Sequence, residues 1–276
     1  MLKKILRPYQ GLSKEVWFMA LTMFVNRAGA MVVPFLSLYL TNFLDFSLEK
    51  VGWIMSCYGL GSVAGVFIGG KLADRVGYYK VMYMSLLGTG LVFFSIQFIT
   101  DFYSLCIGVF SLTIIADMFR PAVWVALDDY SEEDNRTRSV TLIRLAINLG
   151  FSMGPAIGGL LITFVSYRSL FWVDGLTCLI AGLIIIRFLS QKSQVKREHK
   201  HSRLPKLSPY EDGRYLIFWF AMFLIGFTFM QYFSTIPLYY SQELGMNEDK
   251  IGLMLAMNGL LIFLLEIEAR CYSARS

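Results

Sequence analysis

Long apolar runs, separated by short polar or glycine-containing turns, make up most of the chain. A helix that crosses the roughly 30 Å hydrocarbon core of a bilayer needs about 20 predominantly apolar residues. Eight runs meet this requirement, and they lie at about 16–41, 51–71, 79–100, 102–126, 140–165, 168–189, 214–241 and 250–267. The pattern therefore predicts an all-α membrane protein with eight transmembrane helices, numbered in chain order as the first to eighth spans.

Composition supports this prediction and narrows the classes of function. Of the 276 residues, 56% are hydrophobic and 16% are charged, whereas a soluble domain has about 25% charged residues. This balance excludes most soluble enzymes and nucleic-acid binders. The sequence also contains no Ser/His/Asp constellation, phosphate-binding loop or metal-ligand cluster. We therefore expect neither an enzyme, nor a bound cofactor, nor a nucleic-acid partner.

The placement of positive charge predicts the orientation of the spans. Cytoplasmic loops of membrane proteins carry an excess of Lys and Arg. With the N-terminus in the cytoplasm, only Lys50, Arg168 and Lys250 lie outside, and most of the other cations that produce the net charge of +5 lie inside. We therefore expect a multi-pass protein of the cell membrane (inner or plasma membrane), in contact with the lipid bilayer and with both termini cytoplasmic.

One change in composition divides the chain. Residues 190–213 are strongly charged, include two prolines and have no apolar face, which predicts a basic cytoplasmic linker. It separates a six-helix bundle at 1–189 from a partial second bundle of two helices, with an atypical tail, at 214–276.

An internal repeat relates these two units. Residues 38–60 align without gaps to 238–260, with seven of 23 positions identical, where chance gives roughly one or two. Both copies have the same predicted orientation, as in transporters built from two parallel halves; the alternative is two amphipathic hairpins that look alike. A complete second half would need four more spans, so we expect a truncated or frame-shifted form of a twelve-span protein.

The loop after the second span carries the first family motif. The sequence GGKLADRVGYYK at 69–80 resembles the loop motif of the major facilitator superfamily, although two tyrosines stand where basic residues are usual. Gly70 and Gly77 permit a tight turn, and the resemblance implies a cytoplasmic gate in which Arg75 pairs with a carboxylate ending the fourth span. The residues of this predicted gate are Gly70, Asp74, Arg75, Gly77, Lys80 and Asp129, with Asp128 as a neighbour. A solvated loop with orienting charges is the alternative.

The fifth span carries a second motif. RLAINLGFSMGPAIGGLL at 144–161 resembles the motif of the superfamily's drug/proton antiporter branch, and this favours export over uptake. Glycines four residues apart share a helix face and permit close helix approach, while the proline allows a bend. The motif residues are Gly150, Gly154, Pro155, Gly158 and Gly159.

Ionisable side chains inside the spans are the candidates for a substrate or proton pathway, because burying them in lipid is costly. Asp117 and Arg120 share a face of the fourth span; Asp117 is the candidate proton carrier, and Arg120 resembles the basic residue of the family's fourth-span motif. The full candidate set is Asn26, Arg27, Asp117, Arg120, Arg144 and Asn148. A purely structural buried pair is the alternative, Glu266 is expected to extend to the membrane interface, and Asp174 stays ambiguous.

The resemblance implies two helical bundles that rock about a central site and expose it alternately to each side. We expect proton-coupled efflux of small molecules or drugs, driven by the proton gradient. One alternative is a proton symporter importing a sugar, peptide or metabolite. The other is a membrane interaction protein or inactive fragment that transports nothing.

Overall fold

The structure is a computed structural model that describes residues 9–191 and 211–273, with side chains described up to residue 266. The part of the chain so described is helical. Its α-helices are α1 Lys14–Ala28, α2 Val32–Leu38, α3 Leu48–Val76, α4 Tyr78–Ile96, α5 Phe102–Asp117, α6 Phe119–Tyr130, α7 Arg136–Phe164, α8 Arg168–Phe188, α9 Gly213–Gln242 and α10 Glu248–Ser273.

Seven helical stretches are long and apolar enough to cross a membrane, and they correspond to the first seven predicted spans. The eighth predicted span forms α10, and its crossing of the bilayer stays a prediction. The predicted linker at 190–213 lies for most of its length, 192–210, outside the described residues.

The ends of the helices form two faces of the bundle. On one face, which we term the terminal face, the Ser13 hydroxyl donates to the Tyr130 carbonyl at 2.8 Å, and the Tyr130 hydroxyl donates to the Ser190 carbonyl at 2.6 Å. On the opposite face, termed the loop face, the rings of Phe46 and Phe102 meet edge to face. A buried apolar cluster lies towards each face.

Two spans are interrupted near their middle. The first span consists of α1 and α2, which are separated by residues 29–31, and the fourth consists of α5 and α6, which are separated at Met118. Arg27 lies at the end of α1 and Asp117 at the end of α5. Interrupted helices free backbone groups at membrane depth, and they are tolerated where protein or a cavity satisfies those groups.

Small residues let the neighbouring helices approach closely. A Cβ atom added to Gly65 would lie 2.5 Å from the Ile114 carbonyl oxygen, and one added to Gly69 would lie 2.5 Å from the Met118 Cα. The α3 helix therefore packs backbone to backbone against the fourth span, as small-residue faces do in membranes.

The backbone repeats the internal similarity found in the sequence. α3 and α10 begin 200 positions apart, and three loop hydrogen bonds recur at the same offset, with N–O distances of 2.9–3.3 Å. In the first copy the amides of Leu44, Phe46 and Val51 donate to the carbonyls of Tyr39, Leu40 and Ser47, respectively. In the second copy the amides of Leu244, Met246 and Ile251 donate to the carbonyls of Tyr239, Tyr240 and Asn247. The two loops therefore have the same local fold.

Candidate transport site

The interruptions in the first and fourth spans bring an ion pair and a second arginine together. The Asp117 carboxylate accepts from the Arg120 Nε at 2.7 Å and, through its other oxygen, from the Ser62 hydroxyl. Asp117 is only 7% exposed, whereas the Arg120 side chain is 46% exposed. The pair predicted from the i, i+3 spacing is thus formed, with both carboxylate oxygens engaged.

Arg27 lies beside this pair without a carboxylate of its own among the described residues. Its guanidinium lies over the Phe151 ring, 5.3 Å from the ring centroid, an arrangement that attracts a cation to the π face. Its Nε is buried and has no hydrogen-bond partner in the described part of the chain. Arg27 therefore retains donor capacity towards its surroundings.

Two cavities adjoin these groups. The smaller, of about 90 Å³, is lined by residues that include Asn26, Arg27, Asp117 and Arg120. The larger, of about 300 Å³, includes Arg27 and Arg120 in its lining, together with apolar and aromatic side chains. Four of the six predicted pathway residues therefore line the same central space.

The other two predicted pathway residues lie elsewhere and have a shared partner. Asn148 Nδ2 donates to Glu266 at 3.0 Å, and Arg144 Nε lies 3.5 Å from the other Glu266 oxygen. These contacts join α7 to α10 beside a cavity of about 350 Å³. The Glu266 carboxylate is held between two α7 side chains and its side chain is 17% exposed; its extension to the membrane interface stays a prediction.

Asp174, which the sequence leaves ambiguous, has a defined place. Its Oδ1 accepts from the Met31 amide at 2.9 Å and its Oδ2 from the Val32 amide at 3.0 Å. A carboxylate on α8 thereby caps the N-terminus of α2, where free amides and the helix dipole favour negative charge. The sequence shows a carboxylate within an apolar run, which indicates a functional or structural role. It does not show which role, because the partners of Asp174 are 142 and 143 positions away.

The glycine motif of the fifth span surrounds the interruption in the first. A Cβ at Gly150 would lie 2.6 Å from the Arg27 Cβ, and one at Gly154 would lie 3.2 Å from the Arg27 carbonyl oxygen. Gly158 faces Phe35 in the same way. The close packing predicted for these glycines therefore occurs against α1 and α2.

The other face of α7 receives α10. A Cβ at Gly159 would clash with the Glu248 carbonyl oxygen, and one at Gly252 would clash with the Pro155 carbonyl oxygen. The α7 helix thus packs closely against the first span on one side and against α10 on the other. Pro155 lies inside this helix.

The loop motif after the second span is arranged differently from the expectation. Gly77 has a φ of 96° and forms the turn between α3 and α4. Gly70 lies inside α3, with no atom within 4 Å of an added Cβ. The turn role assigned to Gly70 is therefore wrong, because the helix continues for six residues beyond it.

The charges near this turn also pair in an unexpected way. Asp128 forms an ion pair with Arg136, at the start of α7. Asp74, Arg75 and Lys80 are exposed, and the described residues contain no ion pair from Arg75 to either Asp128 or Asp129.

Contacts on the loop face join the first six spans to the last two. The Tyr167 hydroxyl donates to Glu248 at 2.6 Å, and burial, followed by this bond, raises the pKa of Tyr167 and keeps it protonated. Asn42 donates to Ser241 at 3.4 Å. In contrast, residues 213–230 of α9 are exposed. The two units thus meet on the loop face, and α10 stays packed on α7 as far as Glu266, whereas the first part of α9 stands away from the first unit.

A comparison with protein families decides what kind of bundle this is. The family model described as Major Facilitator Superfamily matches residues 16–267. The chain belongs to this superfamily. The membership explains the parallel repeat, since major facilitator proteins have two like halves related by an axis along the membrane normal.

Curated superfamily relatives resemble most of this chain. It is 26% identical over 249 residues to the uncharacterized MFS-type transporter YqjV of Bacillus subtilis (strain 168), covering 87% of this chain and 60% of the relative. It is 24% identical over 279 residues to a Na(+), Li(+), K(+)/H(+) antiporter of Planococcus maritimus, covering 88% of this chain and 65% of the relative. The chain therefore spans about 60 to 65% of the length of these relatives.

A solved structure agrees with the superfamily fold. The crystal structure of the peptide transporter POT in complex with sulfate matches with a TM-score of 0.56 and 19% identity, covering 64% of this chain and 38% of the other. At this identity the similarity shows the fold alone.

Proposed function

We propose that this member of the Major Facilitator Superfamily is a secondary active transporter that exports a small molecule in exchange for protons. The observation that carries the proposal is the Asp117 carboxylate, which ends α5 at the interruption of the fourth span, lines a cavity and is bound by Arg120. A carboxylate that can exchange an arginine for a proton is a device for coupling two conformers to proton binding.

Two further observations favour antiport over other coupling modes. The motif at Gly150–Gly159, which resembles that of the drug/proton antiporter branch, packs directly on the Arg27 segment beside Asp117. A relative with 24% identity is named as a cation/proton antiporter. The proposal takes from this relative the coupling to protons and not its substrate.

The contacts between the units fit one step of alternating access. Tyr167–Glu248 and Asn42–Ser241 close the loop face, while 213–230 of α9 stand exposed towards the terminal face. Under the predicted orientation, with both termini cytoplasmic in the cell membrane, this conformer opens its central cavity inward. The exposed charges Asp74, Arg75 and Lys80 then form their gate contacts in the outward-open conformer.

Flux measurements on the purified 276-residue chain in proteoliposomes test this function. With an imposed pH gradient and a pH-sensitive dye, antiport predicts that substrate added on the cytoplasmic side releases protons from the trans compartment, in the direction opposite to substrate. Flux of both in the same direction indicates the symporter alternative. Proton movement that no added compound alters, in liposomes shown to contain folded protein, contradicts transport by this chain.

A membrane interaction protein is the second candidate, and the exposed surface of α9 favours it. Most side chains along 213–230 are apolar, and the whole stretch is exposed in the described chain. Blue-native sizing and co-purification distinguish the two candidates: a stable complex without substrate-dependent flux supports the interaction role.

A further inference from the structure

The charged side chains that line the larger central cavity are all positive. Its volume of about 300 Å³ is at the lower end of the usual range for small-ligand sites. Its only charged lining residues among those described are Arg27 and Arg120. The carboxylates Asp117 and Asp174 line the smaller cavity, which shares both arginines with this one. A ligand in this space therefore meets positive charge.

The two arginines differ in their need for a partner. Arg120 is neutralised by Asp117 at 2.7 Å. The remaining carboxylate near Arg27 is Asp174, which lines only the smaller cavity and has each oxygen engaged by an amide of α2. Arg27 therefore has no carboxylate partner among the described residues, and its Nε has no hydrogen-bond partner there. A partly buried guanidinium with no paired anion is costly.

The rest of the lining is suited to a flat apolar body. Six aromatic side chains surround the space, from four separate helices. They are Tyr58, Phe119, Trp124, Phe151, Phe229 and Phe233. Phe151 holds the Arg27 guanidinium from one side at 5.3 Å and packs near Phe233 at 6.3 Å. Aromatic rings prefer offset or edge-to-face neighbours at such spacings.

We infer that this cavity binds a planar aromatic carboxylate, whose carboxylate pairs with the Arg27 guanidinium while its ring lies among the aromatic side chains. The inference rests on the proposed function and names its substrate class. An organic cation, the other common cargo of an aromatic cavity, is disfavoured because the larger cavity presents two arginines and the carboxylates of the adjoining cavity, Asp117 and Asp174, are already engaged.

Binding of three isosteric probes tests the charge preference without any substitution. 2-Naphthoate, 2-naphthamide and 2-naphthamidinium have nearly the same shape and carry negative, zero and positive charge. Titrated calorimetrically into the 276-residue chain in nanodiscs, naphthoate is expected to bind about tenfold to one-hundredfold more tightly than the other two, the range for a charge-assisted hydrogen bond. Equal or tighter binding of the amide or the amidinium, or no binding of naphthoate, overturns the inference.

Arg27 variants test the assigned partner. Arg27→Met is expected to remove the preference for naphthoate, and Arg27→Lys to retain most of it. Arg168→Met is the matched control, because Arg168 also lies over a ring, Phe43, but on the loop face. Unchanged naphthoate affinity in a folded Arg27→Met, checked by thermal melting, places the anion elsewhere and overturns the inference.

The binding result and the proposed function can fail separately. Equilibrium binding requires no pH gradient, so Arg27-dependent naphthoate binding without proton-coupled flux rejects antiport and leaves the cavity assignment intact. Proton-coupled flux of a cation that persists in Arg27→Met rejects the assignment and leaves antiport intact.

Discussion

Asp45 and Gly245 lie 200 positions apart and have nearly the same left-handed backbone, with φ of 54° and 60°. Each ends the same loop of the internal repeat, ahead of helices α3 and α10. Asp adopts left-handed backbone more readily than most non-glycine residues, and Gly adopts it without steric cost. The two copies of the repeat thus form the same turn with different residues, Asp45 in one and Gly245 in the other.

Gly245→Ala is expected to destabilise the protein because the turn requires positive φ. The left-handed conformation costs an L-residue about 1 kcal/mol, so the substitution should lower the thermal midpoint measured in detergent.

Two variants complete this test. Gly245→Asp should cost less than Gly245→Ala, since Asp already occupies the equivalent position. Gly226→Ala is the matched control, because Gly226 is helical with no atom within 4 Å of an added Cβ. A Gly245→Ala protein as stable as the Gly226→Ala protein would contradict the prediction.

Asp174→Asn should destabilise the first span at its interruption. The asparagine side chain keeps one oxygen acceptor but places an NH2 group where the second oxygen was. One of the two backbone N–H groups at the start of α2 therefore loses its partner, at a cost of about 1–3 kcal/mol. Thermal melting in detergent measures this effect.

Asp101→Asn serves as comparison, because Asp101 also caps a helix, through the Ser104 amide at 3.0 Å, but at an exposed position. Its hydrogen bonds with Ser104 lower the pKa of Asp101. The stabilisation from this cap is therefore present above the ordinary Asp pKa and is lost as the pH falls through the lowered one. Equal melting shifts for the two variants at neutral pH would argue against a buried cap at Asp174.

Comparing Gly150→Ala with Gly70→Ala tests which glycine of the two motifs is required for close helix packing. The Cβ at 150 would lie 2.6 Å from the Arg27 Cβ and 2.9 Å from the Ala28 nitrogen, so overpacking should cost about 1–3 kcal/mol. At position 70 nothing lies within 4 Å, and alanine in this helix should be neutral or stabilising by up to about 1 kcal/mol. A larger loss of stability at 70 than at 150, measured by thermal unfolding, would show that Gly70 is the packing glycine instead.

Asp117→Asn is expected to abolish proton-driven flux in proteoliposomes, because the amide cannot carry a proton between the two sides. Substrate exchange without a gradient should persist, since it requires alternating access but no net proton movement. Glu49→Gln, which changes an exposed carboxylate in the first turn of α3, is the control and should keep full activity. Undiminished coupling in Asp117→Asn would exclude Asp117 as the carrier.

The sequence by itself determined the features that depend on neighbouring residues. Seven membrane helices follow from apolar run length, which is a local property. The Asp117–Arg120 pair follows from helical spacing, and the superfamily follows from motifs that are continuous in the chain.

Only the tertiary structure decided the features that join distant segments. Glu266 and Asp174 are carboxylates in apolar runs, and their different roles depend on partners more than 100 positions away. Gly70 and Gly150 look equivalent in sequence, yet only one faces another backbone. The lone charge of Arg27 likewise depends on which carboxylates are already engaged. Spacing along a helix fixes which side chains share a face, but the packing of helices fixes what each face meets.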